Sequence, residues 1–225
     1  MTTFQRARSE EQREARRQSI LDAAAAMLTQ MPVADLTLNE LSRRVGLAKS
    51  NVLRYFETRE VVLLELLDAG WQDWLAQVRA DLDDAVQVQA PVQERGDEVA
   101  AVLAASLAAK PVLCDLLSAQ AAVLERNVSP KMAAEYKRAA LANIGALSRL
   151  LLRRLPELGE RDCGRLAGAT VLVTGALWPN TQPSPAMIAA YESDPGLAAM
   201  RLDFGPTMRE VLEVLVSGLL ARRSG

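Results

Sequence analysis

Apolar residues recur along this chain at spacings of three and four, and the polar positions between them supply the stops. Ile20, Ala24, Met27, Leu28 and Met31 hold one such stripe until Pro32 breaks it. Leu38, Leu41 and Val45 form a second, shorter stripe closed by Gly46, a residue able to take the left-handed conformation that ends a helix. Val52 and Phe56 mark a third helix from about Lys49 to Phe56. Leu64, Leu67, Trp71, Leu75, Val78 and Leu82 carry a long fourth one to about Asp83. Residues 83–97, with Gln87, Gln89, Pro91 and Gly96, read as a connection. Beyond them the pattern predicts helices over about 98–109, 111–126, 130–155, 160–178, 185–193 and 206–223.

The punctuation supports these bounds. Ser9-Glu10-Glu11-Gln12 and Thr37 with Glu40 are capping-box spacings, so the first helix is expected to open at Ser9 and the second at Thr37. Residues 1–8, with Arg6 and Arg8, show no core pattern and read as a mobile arm. Thr58 is placed to cap the fourth helix, and Ser129-Pro130 and Ser184-Pro185 each pair an N-cap with a proline at the first helical position. Trp178 to Pro185 is proline-rich, a composition shared with ligands of peptide-binding domains; helical pattern resuming on both sides favours a structural link. The prediction is an all-α protein.

Composition narrows its chemistry. Half of the 225 residues are apolar, enough for a sizeable core. The net charge of −2 conceals an asymmetry: residues 1–60 hold ten Lys/Arg against eight Asp/Glu, the rest sixteen against twenty. An acidic body with a locally basic end suits one docking face. The chain has no histidine, and Cys114 and Cys163 stand far apart with no C-x-x-C spacing, so neither a zinc site, a cofactor nor a disulfide framework is implied. With no histidine base, phosphate-cradling glycine loop or metal cluster, an α-helical enzyme or carrier is a rival rather than the leading reading. A protein-only adaptor is a third. The N-terminus lacks a signal-like apolar core, and no apolar run reaches about eighteen residues, so a cytoplasmic protein without a membrane partner is expected.

The candidate chemistry lies in LTLNELSRRVGLAKSNVLRYFETREVVLLELL, residues 36–67. Two short helices about a glycine turn form a helix-turn-helix, the element that sets its second helix in a DNA major groove. From Arg43 to Arg59 there are five basic residues against one acidic, Glu57. The outward positions Arg43, Arg44, Lys49, Ser50, Asn51, Arg54 and Tyr55 are donors suited to phosphates or base edges. Upstream, Arg13, Arg16 and Arg17 alternate with Glu10, Glu11 and Glu14; a solvated, ion-paired face and a phosphate contact both fit, as a phosphate contact does for Arg6 and Arg8.

This stretch resembles the DNA-binding region of the TetR family of transcriptional regulators, in Thr37, Gly46, the Tyr55-Phe56 pair and basic Arg59, over residues 15–67. Ala48 departs from the Ser or Thr that commonly caps the reading helix, and Leu53 from a phosphate-touching tyrosine. The resemblance implies a helix-turn-helix domain over 1–57 and a ligand-binding and dimerisation domain over 58–225, with no enzymatic activity. It adds Thr37 and Arg59 to the expected DNA contacts and implies a repressor bound as a homodimer to a palindromic site in double-stranded DNA. A small-molecule effector would release it, with ligand-promoted binding or activation as the alternative. The last two long helices would form the interface, through Leu166, Ala169, Leu172 and Val173 on one and Leu212, Leu215, Val216 and Leu219 on the other. Gly164 and Gly168 would allow close approach. Pocket candidates are Trp71, Trp74, Met132, Tyr136 and Asn143.

Overall fold

The computed structural model describes residues 3–121 and 126–222, with side chains from Glu10 onward. Among these there are eleven α-helices and no strand. The first four are α1 (Thr3–Leu28), α2 (Leu38–Arg44), α3 (Lys49–Val52) and α4 (Arg59–Ala85). Then follow α5 (Val92–Ala108), α6 (Pro111–Ala119), α7 (Pro130–Arg154) and α8 (Gly159–Asn180). The last are α9 (Pro185–Ser193), α10 (Pro195–Ala198) and α11 (Phe204–Ala221). Short 3-10 turns occupy Val33–Asp35 and Pro156–Leu158. No single helix among the described residues is long and apolar enough to cross a membrane.

The chain divides into two compact units, Met1–Leu67 with Ala119–Ala134 and Asp68–Ser118 with Glu135–Gly225. The division falls inside α4, because the start of that helix clusters with α1 to α3. The first unit is built on Ile20, Met27, Leu36, Leu41, Phe56, Leu63 and Leu67, all fully buried. α1 begins at Thr3 rather than Ser9, so the residues read as an arm are helical from Thr3. Gln5, Arg6, Ala7 and Arg8 are strong helix formers with no breaker among them, and nothing in that stretch stops the helix.

α2 is closed at both ends by its sequence. The Glu40 N–H donates to Thr37 Oγ1 at 3.1 Å, while the Glu40 carboxylate turns to Arg43. At the other end Gly46 takes φ +65°, with Gly46 N–H on the Arg43 carbonyl (3.2 Å) and Leu47 N–H on the Ser42 carbonyl (3.0 Å). That pair of bonds is a Schellman motif, and it needs the left-handed residue that glycine supplies. α3 is shorter than expected: after Val52 it tightens, with Arg54 and Tyr55 bonding back three residues to Asn51 and Val52. Its first turn has no side-chain cap at Ala48. Thr58 caps α4 through a bond from the Val61 N–H at 3.4 Å.

In the second unit α11 packs chiefly on α5 and then on α8. α5 starts at Val92, six residues before the expected bound. Pro91 occupies its N-cap position, and Gly96, which had read as loop composition, sits inside the helix because Val216 of α11 approaches there. A Cβ on Gly96 would meet Val216 Cγ1 at 2.7 Å. Polar groups in this unit are used in pairs. The Trp74 indole N–H donates to Ser106 Oγ (3.0 Å), and Ser106 donates to the Leu103 carbonyl (3.1 Å). Arg95, 5% exposed, donates to the carbonyls of Ala90 and Arg154 and to Glu157. Its hydrogen bond holds the Glu157 carboxyl below the usual range. Cys114 and Cys163 are buried and form no disulfide; burial, with Asp115 adding to it, pushes the Cys114 thiol up to about 12.

Candidate nucleic-acid interface

The short α3 can point in only two directions. Val52 and Phe56 go inward, 0% and 1% exposed, which leaves Lys49, Ser50, Asn51 and Arg54 in solvent and Tyr55 half-buried. Leu53, 42% exposed, stands among them as an apolar side chain with no hydroxyl to offer. Asn51, Arg54 and Tyr55 border a concavity. Together with Leu47 they form one wall of an open cleft of about 910 Å³.

The opposite wall is α1, through Gln12, Arg13, Ala15, Arg16 and Ser19. Three guanidinium groups thus border one concavity with no carboxylate among its lining residues. Like charges held over a low-dielectric wall focus a positive potential, the condition for drawing in a polyanion. The Gln12 and Asn51 amides, the Ser19 hydroxyl and the Tyr55 phenol add donors and acceptors between the charges.

Helical phase sorts the arginine string of α1. Arg13 and Arg16 face the cleft, whereas Arg17 turns to the unit's own structure, ion-paired with Glu65 and with Glu14 (3.7 Å). Its guanidinium also lies 4.9 Å from the Phe56 ring centre. Burial pushes the Glu65 carboxyl up, and Arg17 partly offsets it. The side chains of Arg6 and Arg8 lie outside the described residues. Gln12 and Ser19 were not among the sequence candidates. With Ala15 and Arg16 they occupy positions i, i+3, i+4 and i+7 of one helix, a periodicity that was open to reading.

Four candidates lie outside the reading helix. Thr37 is exposed and its oxygen accepts the α2 cap, which leaves its proton to donate outward. Arg43 is exposed but paired with Glu40, and Arg44 is exposed. Arg59 is turned inward: its side chain is 20% exposed, and Nη1 donates to the Ala34 carbonyl at 3.2 Å. It therefore braces the first turn of α4 against the turn before α2.

Residues 20–66 match the family model described as bacterial regulatory proteins, tetR family. Residues 68–223 match that of the tetracyclin repressor-like C-terminal domain. The chain belongs to the TetR family. As a TetR-family protein it is a DNA-binding transcriptional regulator, with a helix-turn-helix unit followed by a helical ligand-binding domain. Solved structures agree in fold. A TetR transcriptional regulator from Rhodococcus sp. RHA1 is 15% identical, with 94% of this chain and 98% of that one covered at a TM-score of 0.55. The fatty acid degradation regulator FadR from Bacillus halodurans is 16% identical, with 88% and 97% covered at 0.54. FadR from Bacillus subtilis in complex with stearoyl-CoA is 15% identical, with 88% and 97% covered at 0.54. Comparison with curated proteins gives no match.

The other candidates of this TetR-family chain divide. Leu166, Leu212 and Val216 are 0–1% exposed and face the second unit's own core, Val216 against Gly96. Leu172 is 76% exposed, and Ala169, Val173, Leu215 and Leu219 are half-buried. Val214, 67% exposed, lies one residue out of phase with the Leu212, Leu215, Leu219 stripe and was not among the expected interface residues. Gly164 and Gly168 make no close backbone approach within the chain. Among the pocket candidates Trp71 and Trp74 are buried edge-to-face, centroids 5.2 Å apart. Asn143, 3% exposed, accepts from Gln72 (2.6 Å) and donates to Asp68 (2.8 Å); Tyr136 is buried. Met132 clusters with the first unit, apart from the other four. No group of three or more His, Cys, Asp or Glu among the described residues is placed to hold a metal ion.

Proposed function

We propose that this regulator is a repressor that binds a palindromic operator as a homodimer and is released by a small molecule. The head over residues 1–57 reads DNA, and the body over 58–225 senses and dimerises. The basic cleft between α1 and α3 carries this reading. Arg13, Arg16, Arg54 and Lys49 neutralise phosphates, with Arg43 and Arg44 beside them, so that affinity falls with salt. Thr37 and Tyr55 add hydrogen bonds that set register, and Asn51 and Ser50 meet base edges, an amide being able to pair with adenine. Arg59 acts as a positioning residue. Two heads related by a two-fold axis read two half-sites.

The dimer forms through the outer faces of α8 and α11, by Ala169, Leu172 and Val173 with Val214, Leu215 and Leu219. The effector acts in the second unit, where Trp71, Tyr136 and Asn143 are the residues to vary. Asn143 ties α4 to α7 through Asp68 and Gln72. An effector that takes over the Asn143 amide releases α4, provided it binds the DNA-incompetent state more tightly.

Selection from a random DNA pool tests this. The expected product is a palindrome, with Asn51→Ala losing preference at one base per half-site and stearoyl-CoA as the first effector tried for release. If no sequence is enriched, or Asn51→Ala and Arg54→Ala bind like the parent, the assignment fails.

A further inference from the structure

Residues 181–203 join α8 to α11 through α9 and α10, and none of them is buried. The two short helices pack chiefly on each other. Met187, Ile188, Leu197, Met200 and Leu202 are between 37% and 67% exposed, half of the large apolar side chains that the described residues leave in solvent. A monomer seldom keeps such a concentration uncovered without a partner for it.

The segment is nevertheless built. Ser184 caps α9, accepting from the Met187 N–H at 3.3 Å, and Asp194 caps α10, accepting from the Gly196 N–H at 2.7 Å. Pro185 and Pro195 open the two helices. At its base Trp178 and Phe204 meet edge-to-face with centroids 5.2 Å apart, which pins the two ends together. It is a folded arm with a fixed root and an open apolar surface.

Charge and position select the occupant. The arm carries Glu192, Asp194 and Asp203 against Arg201 alone, the wrong sign for a nucleic acid or an anionic membrane. It leaves the body between α8 and α11, whose outer faces present Leu172 and Val214 to solvent. On the same helices Gly168 and Gly218 have nothing within 4 Å of where a Cβ would stand, so no packing inside the chain accounts for glycine there.

We propose that the 181–203 arm docks on a second copy of this chain, each protomer covering the apolar surface of the other's arm. This rests on the homodimer reading and extends it. In a two-fold contact through α8 and α11, a segment rooted between those helices lies beside the same helices of the partner, and the exchange is reciprocal.

Sedimentation equilibrium on the full chain and on a Met187→Glu, Leu197→Glu, Met200→Glu variant tests it. None of the three side chains is buried, so helical circular dichroism should be unchanged. The dimer dissociation constant should rise roughly tenfold or more. A photo-crosslinker at Leu202 in isotope-heavy chains mixed with light ones should yield heavy–light products. A parent that is monomeric at every concentration overturns the homodimer reading and the arm with it. A dimeric parent whose variant dissociates equally, with crosslinks confined to single chains, overturns the arm alone.

Discussion

Gly96→Ala tests the packing that holds α11 in place. The new Cβ would stand 2.7 Å from Val216 Cγ1, where carbon contacts settle at about 3.5–4.0 Å, so one group must move by roughly 1 Å. Val216 is 1% exposed, and a β-branched side chain in a helix has few rotamers to retreat into. Overpacking of this kind costs about 1–3 kcal/mol. Alanine in mid-helix returns about 1 kcal/mol, so from the middle of that range the net loss should be about 1 kcal/mol. In a Val216→Ala background the clash is gone and the next atoms stand at 3.9 Å, so the same substitution should stabilise, by about 1 kcal/mol. The sign reverses, and a double-mutant cycle should give a coupling of about 2 kcal/mol. Urea unfolding followed by circular dichroism, at one protein concentration, reads it as midpoints at constant slope. Equal effects in the two backgrounds would refute the close approach of α5 and α11.

Ala48→Ser should supply the cap that α3 lacks and raise stability by about 1 kcal/mol in thermal melts; no gain would mean the α3 N-terminus is already satisfied. Glu157→Gln should change the pH dependence of unfolding. The folded Glu157 carboxyl lies below its unfolded value near 4.5, so its contribution is present above that value and lost as pH falls through the folded one. Parent and variant curves should therefore converge in acid, and a constant gap would argue against the Arg95 hydrogen bond. Cys114, with its thiol pushed up to about 12 and no exposure, should resist iodoacetamide at mildly alkaline pH until urea unfolds the chain. Rapid labelling of the native protein would contradict its burial.

The local signals read well where one residue type has one mechanism. Gly46 predicts a left-handed helix end and adopts it; Thr37, Thr58 and Ser184 predict caps and accept them. Phase around a helix was harder to read. In the Ala- and Leu-rich α8 and α11, apolar residues occupy most of the circumference, so Leu166 and Leu172 looked alike although one is core and the other solvent. Gly96 and Pro91 were read as loop composition because the reason for that glycine, Val216, lies 120 residues away. Arg59 carries the charge of a DNA contact but spends it on a carbonyl in its own unit. The cleft required α1 and α3 to be brought together, a tertiary fact, although the polar face of Gln12, Arg16 and Ser19 was visible in the spacing.

The most direct test of the basic cleft as the DNA interface is the salt dependence of operator binding for the parent, Arg16→Ala and Arg54→Ala, measured by fluorescence anisotropy. Each lost phosphate contact should lower the slope of log affinity against log salt by about 0.9 while base preference is kept. Slopes equal to the parent's for both variants would place DNA somewhere other than between α1 and α3.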